Sequence, residues 1–134
     1  MVFLNAGFAV HGQFIRTNSK ENQSLLDTNL YHVVALAKQI LPGLEQRKQR
    51  SAIVVNSSIA SYQPLYGLLS YSSSKILLNY LTAGLEQECK NTDFLLLTPG
   101  SVLTAPLKAF IKQGCCTLIA SVEGCVRCTL TNLG

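Results

Sequence analysis

The sequence predicts an α/β fold, a partial Rossmann-like parallel sheet with flanking helices. Three observations predict it. Short, almost unbroken apolar runs occur at Val2-Phe3-Leu4, Ala52-Ile53-Val54-Val55 and Phe94-Leu95-Leu96-Leu97. Two long stretches of helical periodicity separate them. Each run ends in polar or turn residues: Asn5-Ala6-Gly7, Asn56-Ser57-Ser58 and Pro99-Gly100. Apolar strands alternating with helices are the mark of a sheet buried by its crossovers.

The elements follow in order. The first strand, residues 2–4, enters a turn at Asn5-Ala6-Gly7. A helix is expected over 24–44, because Leu26, Leu30, Val33, Val34, Ala37, Ile40, Leu41 and Leu44 recur at three- and four-residue steps. Pro42-Gly43 marks its end or a kink in it. The β-branched run 52–55 is a second strand. Residues 69–88 return to the helical period, with Leu77, Leu78, Leu81 and Leu85 on one side. Residues 94–97 are a third strand, stopped by Pro99-Gly100. A short helix over 105–112, a short strand over 115–119 and a last helix over 121–133 complete the expectation. Ser121 is a fitting N-cap for that helix, with Glu123 in its first turn. Residues 1–134 are read as a single domain. Right-handed crossovers place the helices on the faces of the sheet. Ligands in such sheets bind beyond the carboxyl ends of the strands, where the three turn motifs fall.

Composition narrows the function. Apolar residues make up 48% of the 134 and charged residues 13%, with a net charge of +4. That is about half the usual charged fraction of about 25%. Arg47, Lys48 and Arg50 form one short basic run, which reads as a solvated helix end; a broad basic face for nucleic acid is not present. The charge-free stretch 51–74 is too rich in serine to read as a membrane span, and no signal-peptide pattern is evident. Five cysteines form no regular framework, so a disulfide scaffold is not expected. The Cys125-x-x-Cys128 pair has no second pair to complete a zinc site, and no metal is expected.

The chemistry concentrates in Ser58, Tyr71 and Lys75. Tyr71 and Lys75 are four residues apart, so on a helix they share a face. An ammonium beside a phenol stabilises phenolate and makes the phenol a usable acid. A serine hydroxyl brought from another element can then hold the substrate oxygen. Together they suit proton transfer to or from a carbonyl or alcohol.

The ordered set Asn5-Ala6-Gly7, Asn29, Ser58, Tyr71-x-x-x-Lys75 and Pro99-Gly100-x-Val102-x-Thr104 resembles the short-chain dehydrogenase/reductase family. The stretch 97–104 and the ending 121–134 are similar to the branch of very-long-chain 3-oxoacyl-CoA reductases and 17β-hydroxysteroid dehydrogenases. The resemblance implies roles. Tyr71 would be the general acid in carbonyl reduction and the base in alcohol oxidation. Lys75 would support it and hold the nicotinamide ribose. Ser58 would bind the substrate oxygen, and Asn29 the water that links Lys75 to solvent. Asn5, Ala6 and Gly7 would approach the cofactor, NADP or NAD. Pro99 and Gly100 would border the cofactor site, and Val102 and Thr104 would meet the carboxamide. The substrate would be a small lipid-like molecule, with Leu103, Leu107, Phe110 and Ile111 in a lid. A homodimer through the Tyr71–Lys75 helix and residence at the endoplasmic reticulum membrane would follow from the same resemblance.

The sequence departs from the family in one large respect. Its nine glycines contain no Gly-x-x-x-Gly-x-Gly turn, which in the family receives the cofactor pyrophosphate at a helix N-terminus. The chain is therefore expected to be the catalytic C-terminal part of such an enzyme, lacking the N-terminal glycine-rich βαβ half. The strand at 2–4 would then expose an edge, and cofactor affinity would be poor. Leu4 stands where the family often has a second Asn, and His11 reads as a solvated loop histidine. Two readings remain open: a carbonyl reductase or alcohol dehydrogenase, and a truncated, catalytically silent interaction module.

Overall fold

The computed structural model describes residues 1–102 and 119–120. The chain divides into two compact units, Met1–Thr98 and Pro99–Gly134.

The first unit is built on a three-stranded parallel sheet in the order β1-β2-β3, with β1 at Val2–Leu4, β2 at Ser51–Asn56 and β3 at Thr92–Leu97. Leu4 pairs with Val55, and Val55 with Leu96. Both crossovers carry helices. Helix α1 spans Ser19–Leu26, a π-helical turn spans Asp27–Tyr31, and α2 spans His32–Glu45. Helix α3 spans Leu69–Glu88.

The core lies on one face of this sheet. Leu4, Ile53 and Val55 meet Val33 of α2 and Leu78 of α3, all buried. Val2, Phe94 and Leu96 extend the same face, and Ile40, Leu41, Leu44 and Leu81 pack against it from the helices. Both helices lie on one side because each new strand is added in the same direction. Two right-handed crossovers then fall on the same face. Ile53 is fully buried at the centre of the cluster; truncating such a residue to Ala costs about 2–5 kcal/mol. On the opposite face of β1, Phe3 is 54% exposed. β1 forms one edge of the sheet, as expected for the strand at 2–4.

Three expectations are corrected. The first long helix starts at Ser19, five residues before the apolar period begins. Its start is a polar signal instead: the Asn18 side chain accepts from the Lys20 N–H at 2.8 Å, and Glu21 stands in the first turn. The helix is not uniform, because the π-helical turn interrupts it. Pro42 does not end it: it lies inside the last turn of α2, which continues to Glu45. Proline there forfeits one bond to the carbonyl four residues back.

In the second unit, β4 at Ser101–Val102 pairs in parallel with β5 at Ile119–Ala120. β5 shares Ile119 with the strand expected over 115–119, whose other residues lie outside the described residues. The helices expected over 105–112 and 121–133, and Cys125 and Cys128, lie outside the described residues.

Candidate active site

Helix α3 sets out the chemistry. Tyr71 and Lys75 occupy successive turns, and the Lys75 Nζ lies 5.6 Å from the Tyr71 ring centroid, within cation–π range. Tyr71 is half-buried, and its hydroxyl makes no hydrogen bond to the described residues. Lys75 is 3% exposed. Burial disfavours its charged form and pushes its pKa down to about 8. Its ammonium donates to the main-chain carbonyl of Asn56 at 2.7 Å, at the end of β2. The Asn56 side chain in turn donates to Asn5 Oδ1 at 2.7 Å, joining the carboxyl ends of β1 and β2.

Gly7 stands between two of these groups. A Cβ there would lie 3.2 Å from Asn29 Oδ1 and 3.6 Å from Lys75 Nζ. Glycine therefore lets the turn after β1 come down on the lysine. Asn29, fully buried in the π-helical turn, clamps that turn. Its Oδ1 accepts from the Phe8 N–H, and its Nδ2 donates to the Phe8 carbonyl, both at 2.9 Å. The same Nδ2 reaches Ser74 Oγ at 3.3 Å, and Ser74 donates to the Tyr71 carbonyl at 2.7 Å. Both amide hydrogens of Asn29 are thus used. The second lone pair of Asn29 Oδ1 is the acceptor left on that side chain.

Ser58 lies beyond β2 in extended backbone and caps a 3-10 turn at Ile59–Ser61. Its Oγ accepts from the Ala60 N–H at 3.2 Å. Ser57 joins this segment to α3, with Oγ 2.6 Å from Asn79 Oδ1 and 3.1 Å from the Lys75 carbonyl. The Ser57 N–H donates to the Leu97 carbonyl at 2.7 Å, which ties β2 to β3 at the same edge.

The first unit thus assembles Asn5, Gly7, Asn29, Lys75 and Tyr71 through shared contacts, and links Ser58 to them through Ser57. Ala6 lies in the exposed turn between Asn5 and Gly7. Pro99, Gly100 and Val102 belong to the second unit, and Thr104 lies outside the described residues. Sequence reasoning missed Asn56 and Asn79. Asn79 had a signal: it follows Lys75 by four residues on the same helix face. It also missed a tie between two loops, where the Gly12 N–H donates to the Gly67 carbonyl at 2.9 Å and Gln13 Nε2 to the Tyr66 hydroxyl at 2.6 Å. Gly12 and Gly67 have φ of 137° and 72°, values that glycine adopts without strain.

A three-stranded parallel sheet with its crossover helices packed on one face defines the class: a Rossmann-like α/β fold. Within it, the chain belongs to the short-chain dehydrogenase family, whose pattern, described as short chain dehydrogenase, matches residues 1–114. Human retinol dehydrogenase 8 is 32% identical over 102 residues, covering 75% of this chain and 32% of that protein. Acetoacetyl-CoA reductase of Cupriavidus necator is 27% identical over 120 residues, covering 88% of this chain and 48% of that protein. The chain therefore spans about a third to a half of the length of these relatives. A short-chain dehydrogenase of Sphingobium yanoikuyae, solved with NADPH, superposes with a TM-score of 0.89 at 23% identity, covering 98% of this chain and 53% of that one. That likeness establishes the fold.

Proposed function

We propose that this chain carries the proton-transfer machinery of an NADP(H)- or NAD(H)-dependent carbonyl reductase or secondary alcohol dehydrogenase acting on a lipid-like substrate. The observation that carries the reading is the Tyr71–Lys75 pair, with the lysine buried and held at the strand ends. Ser58 holds the substrate oxygen. Tyr71 gives its proton to the alkoxide that forms during reduction, or takes one from an alcohol during oxidation. The Lys75 charge stabilises the phenolate that remains.

The residues present fit the nicotinamide-ribose end of the cofactor. Lys75 has three N–H donors and uses one on Asn56. Among the described residues the ion pair is Arg50–Asp93, so no carboxylate there claims the ammonium. Gly7 offers no side chain where a Cβ would crowd Asn29 Oδ1, beside Lys75. A ribose diol suits the two remaining donors. Asn5, Ala6 and Gly7 border that position. The cofactor, when bound, supplies the hydride; the protein orients it.

The lipid-like substrate rests on the likeness to the 3-oxoacyl-CoA and 17β-hydroxysteroid branch, and the names of retinol dehydrogenase 8 and acetoacetyl-CoA reductase are compatible with it. Residence at the endoplasmic reticulum membrane belongs to the same reading. No helix among the described residues is long and apolar enough to cross a membrane. A homodimer through α3 is supported by Leu69, Ile76, Leu77 and Tyr80, which are all exposed along that helix.

A second reading is a catalytically silent interaction module. Titration with NADPH, followed by turnover of acetoacetyl-CoA and of a steroid ketone, separates the two. The oxidoreductase reading expects turnover that Tyr71→Phe abolishes without loss of cofactor binding. Weak binding with no turnover supports the silent reading.

A further inference from the structure

We propose that Asn79 is a positioning residue that locks the Ser58 segment to the helix bearing Tyr71 and Lys75; its catalytic consequence rests on the oxidoreductase reading above. Asn79 lies one turn beyond Lys75 and two beyond Tyr71, on the same face of α3. Its amide bridges both sides of Ser58. Oδ1 accepts from Ser57 Oγ at 2.6 Å, and Nδ2 donates to Ser61 Oγ at 2.9 Å. Ser61 Oγ passes its own proton to the Ser58 carbonyl at 2.6 Å. The Ser61 N–H donates to that carbonyl as well, at 3.0 Å. Ser57, Ser58 and Ser61 are 2%, 9% and 4% exposed, so these bonds form with little competition from water.

The direction of the amide is dictated by proton supply. A serine hydroxyl has one proton to give. Ser61 spends it on Ser58, so it can only accept from Asn79. The Asn79 NH2 must then face Ser61, and its oxygen must face Ser57. A flipped amide would set two acceptors against each other at Ser61. Reversing Ser61 to suit it would leave the Ser58 carbonyl with the Ser61 N–H alone. The Ser57 and Ser61 hydroxyls and the Asn79 amide therefore favour the arrangement seen.

The consequence concerns distance. Tyr71 and Lys75 ride on α3, whereas Ser58 rides on the loop after β2. The substrate oxygen must meet Ser58 and Tyr71 together, and a misplacement of about 1 Å costs on the order of 10²-fold in rate. Asn79 is the side chain on α3 that reaches both neighbours of Ser58. An aliphatic residue of similar size would fill the space and leave Ser57 and Ser61 without it.

The test uses the full chain. Amide exchange is read at Ala60, whose N–H donates to Ser58 Oγ, against Ile53 in the core. Asn79→Ala is expected to speed exchange at Ala60 about tenfold more than at Ile53, the local opening that a lost tether permits. Ser61→Ala, which cuts the same link from the other end, should do likewise. The double variant should be faster than either single variant but less than additive, because both remove the Asn79–Ser61 bond and each removes one bond of its own. An unchanged Ala60 in the single variants, or additive effects in the double, overturns the proposal. Where Asn79→Ala fails to fold, Ser61→Ala still decides it. Turnover is measured alongside: kcat should fall by about 10²-fold in Asn79→Ala with the KM for NADPH unchanged, and an unchanged kcat overturns the catalytic role. If the wild type turns over no ketone, the oxidoreductase reading fails, while the exchange result still settles the lock.

Discussion

The Lys75 ammonium donates to the main-chain carbonyl of Asn56 at 2.7 Å, so a cation that is 3% exposed is held by a peptide group at the end of the central strand. A neutral carbonyl orients the charge without neutralising it. That explains how the lysine can be both fixed and reduced in basicity, to a pKa of about 8.

A pH dependence follows. The folded value lies below the unfolded value of 10.5, so the unfolded chain binds more protons between about 8 and 10.5. Stability should therefore rise with pH across that window. Lys75→Met should remove the rise, as read by urea midpoints at both ends. Turnover should run the other way and fall as pH rises through about 8, because the positive charge is lost.

Asn29→Leu should loosen the turn after β1. It removes both bonds to Phe8 and the bond to Ser74, and leaves the Phe8 N–H and carbonyl without those partners. The expected loss is about 1–3 kcal/mol, measured by chemical denaturation. Asn29→Asp should lose at least as much, since it sets a carboxylate oxygen against the Phe8 carbonyl at a fully buried position.

Gly7→Ala places a methyl 3.2 Å from Asn29 Oδ1 and 3.6 Å from Lys75 Nζ. The first contact is tighter than packing normally allows, and the partner is itself clamped. We expect a stability loss of about 1 kcal/mol and a displaced Lys75 resonance in a ¹³C-lysine titration. An unmoved resonance would show that Gly7 does not bear on the lysine.

Glu45 should confer acid-sensitive stability. Its carboxylate accepts from the Thr92 hydroxyl at 2.6 Å, and from the Lys90 and Asn91 N–H groups, tying the end of α2 to the start of β3. The Thr92 bond, then the two backbone bonds, hold its pKa below the usual carboxylate value. Its contribution is present above the unfolded value and is lost as pH falls through the folded one. Glu45→Ala should be less stable than wild type at neutral pH, with the difference shrinking in acid. A difference independent of pH would assign the effect to packing.

The sequence by itself determined what local periodicity and spacing can encode: three strands, two crossover helices, the turns at the strand ends and the Tyr71–Lys75 face. Those follow because burial repeats along the chain and each residue's neighbours in sequence set its pattern. The apolar period missed the start at Ser19, which the Asn18 cap and Glu21 mark instead, and gave no sign of the π-helical turn around Asn29. Tertiary structure decided the rest. It placed both helices on one face of the sheet, paired Asn29 with Phe8, Asn56 with Asn5, and Asn79 with Ser57 and Ser61. The physical reason is that a polar side chain's partner is chosen by which segments the crossovers bring together. Asn5 and Asn56 are 51 residues apart in the chain and 2.7 Å apart in space.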